Sequence, residues 1–203
     1  MLIFDETTHT YFWNGVKVPS VTQIINEFQQ VTINGSQYHI NRYTGAVVPS
    51  YLMEQGAEDG KNIHRGAELI LQGGIDWNAL DPDYVAPLRQ FEKWLSDFDI
   101  QPLYTEFRVY HPKFGYAGTL DIVALIEKAL AFIDIKSGLC NTVSWQLSAY
   151  EAAYCAQEKY IGRTMRYALW LPKDGSPYKF EPITGQNDFE KFKACMILKS
   201  RSK

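Results

Sequence analysis

"GYAGTLDIVALIEKALAFIDIKSG", residues 115–138, is the most apolar stretch of the chain, yet it carries Asp121, Asp134 and Lys136. Aliphatic residues dominate on either side of Glu127-Lys128, so two antiparallel strands joined by a tight turn are expected. Side chains alternate along a strand. Ile122, Ala124 and Ile126 would share one face with Leu120, and Asp121, Val123 and Leu125 the other. In the second strand Ala131, Ile133 and Ile135 oppose Leu130, Phe132, Asp134 and Lys136. Both faces are apolar, as in strands buried on two sides, and the polar side chains gather at one end. A turn centred between Glu127 and Lys128 sets Asp121 opposite Asp134, with Cβ atoms roughly 5 Å apart. A turn two residues longer, "EKAL", sets Asp121 opposite Lys136 instead. Either register keeps all three on one face, whereas a three-residue loop would break that coincidence.

Two carboxylates so close at the end of a low-dielectric sheet repel one another and call for a cation. Oxygen ligands of this kind suit Mg²⁺ or Mn²⁺, and a lysine two residues on sets a fixed positive charge beside them. The competing reading makes Asp134 and Lys136 solvated residues at the sheet rim.

The rest of the chain supplies the setting. Its 203 residues, 46% hydrophobic and 21% charged, fit one domain, 1–203, with additions over about 1–50. A net charge of −3 excludes a uniformly basic nucleic-acid coat but not a local basic groove. Cys140, Cys155 and Cys195 are widely spaced with no C-x-x-C pair, which fits buried thiols in a reducing cytoplasm. The start "MLIFDETTHTYFW" has no basic leader, and no apolar run reaches the ~18 residues of a membrane span, so a cytoplasmic protein is expected.

Residues 2–22 predict two short strands around a polar turn, then a helix "SVTQIINEF" with Ser20 as N-cap. Residues 29–50 are polar and turn-rich, a long loop or an accessory hairpin. Helices follow at about 59–72 and 83–97, a strand at "LYTEFRVYH", the two strands of the quoted stretch, and a helix "TVSWQLSAYEAAYCAQEKY". A strand "TMRYALWLP", a short strand "YKFEPI" and a helix "NDFEKFKACMILK" close the chain. The core order α-β-β-β-α-β gives an α/β (α+β) fold, a mixed central β-sheet flanked by helices.

In order along the chain these motifs resemble the PD-(D/E)XK nuclease superfamily, specifically its RecB-type and phage exonuclease branch. The carriers are "GTLD" ending at Asp121, "DIK" with Asp134 and Lys136, "QLSAY" with Gln146 and Tyr150, and upstream "GKNIH" with Gly60 and His64. The opening "VPSVTQII" also looks like the start of phage-encoded members, so the resemblance runs from about residue 18 to 150. Leu120 stands where the superfamily's name has proline, and the cysteines do not form the iron–sulfur ligand set of some relatives, so no iron–sulfur cluster is expected.

The resemblance implies a restriction-endonuclease-like core and one or two Mg²⁺ or Mn²⁺ ions. Their ligands would be Asp121, Asp134, the Ile135 carbonyl and His64. Lys136 would orient the attacking water or stabilise the transition state, and Glu106, in "YTEFRVY", matches an acidic position some members use beside the metal. For His64 the competing reading is a core-edge histidine; for Glu106, an exposed residue on an alternating strand; for Tyr150, packing against the sheet. Gln146 and Tyr150 lie four apart on one helical face, with Tyr154 and Gln157 continuing the stripe, and would contact DNA. Lys61, Arg65, Arg163 and Arg166 are further candidates for phosphate contact.

The function implied is a metal-dependent DNA nuclease, an exonuclease of recombination, repair or replication, acting on linear duplex or single-stranded ends. Implied partners besides DNA are further copies in a homo-oligomer and a single-strand-binding or annealing protein, with no membrane. A structure-specific endonuclease and a catalytically silent nucleic-acid-binding module on the same fold are the alternatives.

Overall fold

The computed structural model describes residues 1–138 and 140–201. Its centre is a five-stranded mixed sheet of β7 (Ile100–His111), β8 (Tyr116–Ile126), β9 (Ala129–Lys136), β10 (Thr164–Trp170) and β11 (Lys179–Pro182), in the order β11-β10-β9-β8-β7. All neighbours are antiparallel except β9 and β10, which run parallel. Parallel strands need a crossover, supplied here by α4 (Val143–Glu158).

Glu127 and Lys128 form a two-residue turn with φ of 48° and 64°, both left-handed. Ile126 therefore pairs with Ala129 and Ile122 with Ile133, the register that carries Asp121 toward Asp134; the longer "EKAL" turn does not occur.

Each face of the sheet is covered. On one side Val123, Leu130 and Phe132 pack with Leu147, Ala149 and Ala153 of α4 and with α1 (Val21–Ile25) and α5 (Asp188–Arg201). On the other, Ile122, Ala124, Ala131, Ile133 and Ile135 meet Ile63 and Ala67 of α2 (Ser50–Leu71) and Leu88, Phe91 and Trp94 of α3 (Pro82–Asp97). Leu120 departs from simple alternation: it joins the α4 side with Val123, not the side of Ile122. The pleat therefore changes phase between Leu120 and Val123, the stretch that holds Asp121.

Ser20 caps α1, accepting from the Gln23 N–H while the Gln23 side chain accepts from the Ser20 N–H. The first residues form three strands where two were expected: β1 (Leu2–Asp5), β2 (Thr10–Trp13) and β3 (Val16–Val18), the extra one arising because Asn14-Gly15 makes a second tight turn. Residues 28–49 are likewise a three-stranded antiparallel sheet of β4 (Phe28–Ile33), β5 (Ser36–Asn41) and β6 (Val47–Pro49), more than the expected hairpin. Helix α2 begins at Ser50 rather than near 59, and its first turns are largely exposed, so no apolar period announces them. No helix among the described residues is long and apolar enough to cross a membrane.

Candidate functional site

Asp121 leaves the ladder where β8 parts from β9. Its Oδ2 accepts the Ile135 N–H at 2.7 Å, standing in for a strand carbonyl. Its Oδ1 lies 3.3 Å from Nδ1 of His64 on α2, while the other ring nitrogen, Nε2, lies 2.9 Å from the Ile135 carbonyl oxygen. An imidazole with acceptors at both nitrogens satisfies both only when doubly protonated. Burial alone would lower the His64 pKa, but the Asp121 charge and contact overcome it and raise it to about 9. Burial would likewise raise the Asp121 carboxyl; the His64 charge and contact reverse this and hold it below the usual range. His64 is thus the site's own cation, wedged between a carboxylate and a carbonyl.

Glu106 completes the cluster. Thr105 pairs with Ile122 and Phe107 with Leu120, so Glu106 falls opposite Asp121. Its φ of 49° is a left-handed conformation rare for a non-glycine residue inside a strand. Ligand atoms of His64, Glu106 and Asp121 all lie within 4.8 Å of one another. Glu106 is exposed as a residue, but neighbouring protein withdraws water from its carboxyl; together with the Asp121 charge this pushes it up to about 7, against His64. The exposed-strand reading of Glu106 gives its exposure but not its convergence.

Asp134 lies outside that trio. Alternation along β9 puts it with Leu130 and Phe132, so the expectation of Asp121, Asp134 and Lys136 on one face is corrected: the phase change in β8 turns Asp121 toward α2. Asp134 is 2% exposed, and its Oδ2 is ion-paired with Lys136 Nζ at 2.6 Å. Burial, more than the Asp121 charge, raises its carboxyl to about 6, with Lys136 opposing. Burial would lower the Lys136 pKa, but the Asp134 and Asp121 charges outweigh it, so the side chain stays an ammonium.

A convergent His-Glu-Asp trio beside a buried carboxylate could hold a hard divalent cation. The residues that would hold it are Asp121, Glu106 and His64, with Asp134 and the Ile135 carbonyl adjoining.

Gln146 and Tyr150 both face inward. Gln146 donates to the Tyr150 hydroxyl at 3.1 Å, and Tyr150 packs against Gly118, where an added Cβ would sit 2.3 Å from its ring. Tyr154 packs on Phe107 and Phe132, and Gln157 accepts the Tyr110 N–H, so the stripe fastens α4 to the sheet. Lys61 is exposed, Arg65 pairs with Glu68 on its own helix, and Arg163 is exposed. Arg166 is not open to a phosphate: only 12% of its side chain is accessible and it pairs with Glu151 and Asp188. All three cysteines are free thiols, but only Cys195 is buried as expected, Cys140 and Cys155 being half-buried.

Missed by sequence reading is Tyr11, whose hydroxyl meets Thr119 Oγ1 at 2.7 Å and so fixes the β1–β3 sheet two residues from Asp121. No local pattern in the sequence marks a contact between residues 108 apart. In comparison with known proteins the chain matches no family model and no curated sequence, so its own residues carry the functional reading.

Proposed function

We propose that this protein is a metal-dependent DNA nuclease of the PD-(D/E)XK type, an exonuclease hydrolysing phosphodiester bonds without sequence readout. The observation that carries the reading is the meeting of Asp121, Glu106 and His64 beside a buried Asp134–Lys136 pair at the open end of a sheet. A structural ion pair explains Lys136 and Asp134, but not a strained Glu106 and a histidine clamped between Asp121 and the Ile135 carbonyl.

Mg²⁺ or Mn²⁺, held by these acids, supplies charge neutralisation at the scissile phosphate and a more acidic water. Lys136, kept as an ammonium and 18% accessible, donates to phosphate oxygens as their charge grows. Glu106, raised to about 7 in the metal-free site by burial and the Asp121 charge, would lose its proton to hold the ion as a carboxylate. Gln146 and Tyr150, buried and hydrogen-bonded to each other, pack inside the fold and are not open to DNA.

The test is digestion of end-labelled linear DNA and of closed circular DNA with Mg²⁺, Mn²⁺, Ca²⁺ or EDTA. Degradation of the linear form with Mg²⁺ or Mn²⁺ only is expected. Cleavage of closed circles would favour the endonuclease reading, and full activity in EDTA would overturn the metal-dependent one.

A further inference from the structure

Beyond the end of β9 the ribbon of β7 and β8 runs on, with residues 107–111 paired to 116–120. Phe107 and Val109 pack toward α4, so Arg108 and Tyr110 stand on the opposite face, where Tyr110 joins Phe4, Tyr11 and Trp13 of the β1–β3 sheet. That face also carries the site. Helix α2 borders it through the His64–Asp121 contact, and the β1–β3 sheet through the Tyr11–Thr119 contact. Arg108 pairs with Thr119, two residues along from where Glu106 faces Asp121.

Lys136 is ion-paired with Asp134, and His64 is held between Asp121 and the Ile135 carbonyl, so the acids engage both of these cations. Arg108 pairs outward instead. Its Nη2 lies 3.3 Å from a carboxylate oxygen of Glu6, in the turn between β1 and β2, and its guanidinium lies over the Phe4 ring, 5.2 Å from the centroid. Both ends of this pair are open, with 45% of the Arg108 side chain and 80% of the Glu6 side chain accessible. So exposed an ion pair is weak, and another anion can take the place of Glu6 at small cost. The Arg108 charge still reaches the site: burial and the Asp121 charge raise the Glu106 carboxyl, and Arg108 acts against them.

We propose that Arg108 binds the phosphate next to the scissile one and so sets the register of the DNA strand in the site, an inference that rests on the nuclease assignment and extends it. Two residues of β7, roughly 7 Å of strand, separate Arg108 from Glu106, a step close to that between successive phosphates of one nucleic-acid strand. The trio and Lys136 meet the charge of the reacting phosphate, and the neighbouring phosphate brings a second charge, which Arg108 meets. A guanidinium gives two parallel N–H groups to a phosphate, a better match than the single contact it makes with Glu6. A phosphate contact carries no base preference, in keeping with cleavage without sequence readout. The competing role for Arg108 is a tie between the β1–β2 turn and β7, in which both partners of the ion pair would act alike on stability and neither on DNA.

The experiment pairs the variants with a DNA that lacks one charge. Binding of a labelled linear duplex is measured by anisotropy in Ca²⁺ between 50 and 200 mM salt, and single-turnover cleavage in Mg²⁺, for wild type, Arg108→Ala and Glu6→Gln. Cleavage is repeated on duplexes with a methylphosphonate in place of the second linkage from the 5′ or from the 3′ end. Arg108→Ala should bind at least fivefold more weakly, with the slope of log affinity against log salt flatter by about 0.9. Glu6→Gln should bind as well as wild type or better. One of the two methylphosphonates should slow wild type and Glu6→Gln at least tenfold, yet slow Arg108→Ala less than twofold further. Wild-type binding by Arg108→Ala, equal loss of binding in both variants, or a methylphosphonate effect undiminished by Arg108→Ala would overturn the proposal. Indifference of wild type to both methylphosphonates would overturn it too, and needs no variant to fold. If wild type cleaves while any of these holds, the nuclease reading stands without Arg108; if wild type does not cleave in any metal, that reading fails and the binding arm in Ca²⁺ still judges the arginine.

Discussion

Each ring nitrogen of His64 faces an acceptor, and this fixes the sign of the site's pH response. Its folded pKa, about 9, lies above the ordinary 6.5. The stability it contributes is complete below about pH 6.5 and is lost as pH rises through 9. Glu106, raised from 4.5 to about 7, acts in the same direction, since ionising it costs the folded state as pH rises through that range. The metal-free protein should therefore melt at lower temperature at pH 9 than at pH 6.5. Manganese affinity should rise across the same interval, because binding displaces protons from His64 and Glu106. Calorimetry at pH 6, 7.5 and 9 checks this, and a pH-independent affinity would contradict it. His64→Ala should weaken Mn²⁺ binding by about 10-fold or more and flatten the pH dependence. Asp121, Asp134 and Lys136 are legible in the sequence because charges in a doubly apolar strand pair have no packing reason to be there. The convergence of Glu106 is not, because its left-handed backbone is imposed by the sheet and by no local signal.

Tight turns made most of the strand pairings readable at the level of elements. Asn14-Gly15 and Asn34-Gly35 adopt left-handed conformations at both positions, which Asn-Gly favours, and each produces a hairpin. Glu127-Lys128 makes the same kind of turn without glycine; the apolar alternation on either side, rather than its own composition, set its register. Less readable was the phase change at Leu120, since alternation rules assume an unbroken pleat. The start of α2 was hidden for another reason: its first turns are fastened by the β5–β6 sheet and not by an apolar stripe of their own. Where α2 crosses α3, Gly66 lets the helices touch, and an added Cβ would lie 2.3 Å from Leu88 Cδ1, itself fully buried. Gly66→Ala should therefore destabilise by about 1–3 kcal/mol through overpacking, despite alanine's better helix propensity. Urea unfolding checks it; a more stable variant would show that the α2–α3 contact is slack.

Across the whole molecule, helices on both faces leave one end of the sheet as the place where polar groups can stand together. Burial raises the Asp134 and Glu106 carboxyls at that end, and a divalent ion would compensate their charge. Mn²⁺ at a hundredfold excess over its dissociation constant should raise stability by ~2.7 kcal/mol, seen as an upward shift in melting temperature. No shift would contradict a formed site.

The central claim, that this end of the sheet cleaves phosphodiesters with Lys136 at its heart, is tested most directly by single-turnover cleavage of a labelled linear duplex at saturating Mg²⁺. Wild type, Lys136→Ala and Lys136→Arg are compared, with DNA binding checked separately in Ca²⁺. Both variants should bind DNA, yet the alanine variant should cleave on the order of 10²-fold more slowly. Arginine should not restore the rate, because a planar fork cannot replace a compact ammonium beside Asp134. Cleavage by Lys136→Ala at the wild-type rate would contradict the account and reduce "IDIKSG" to the buried end of a strand.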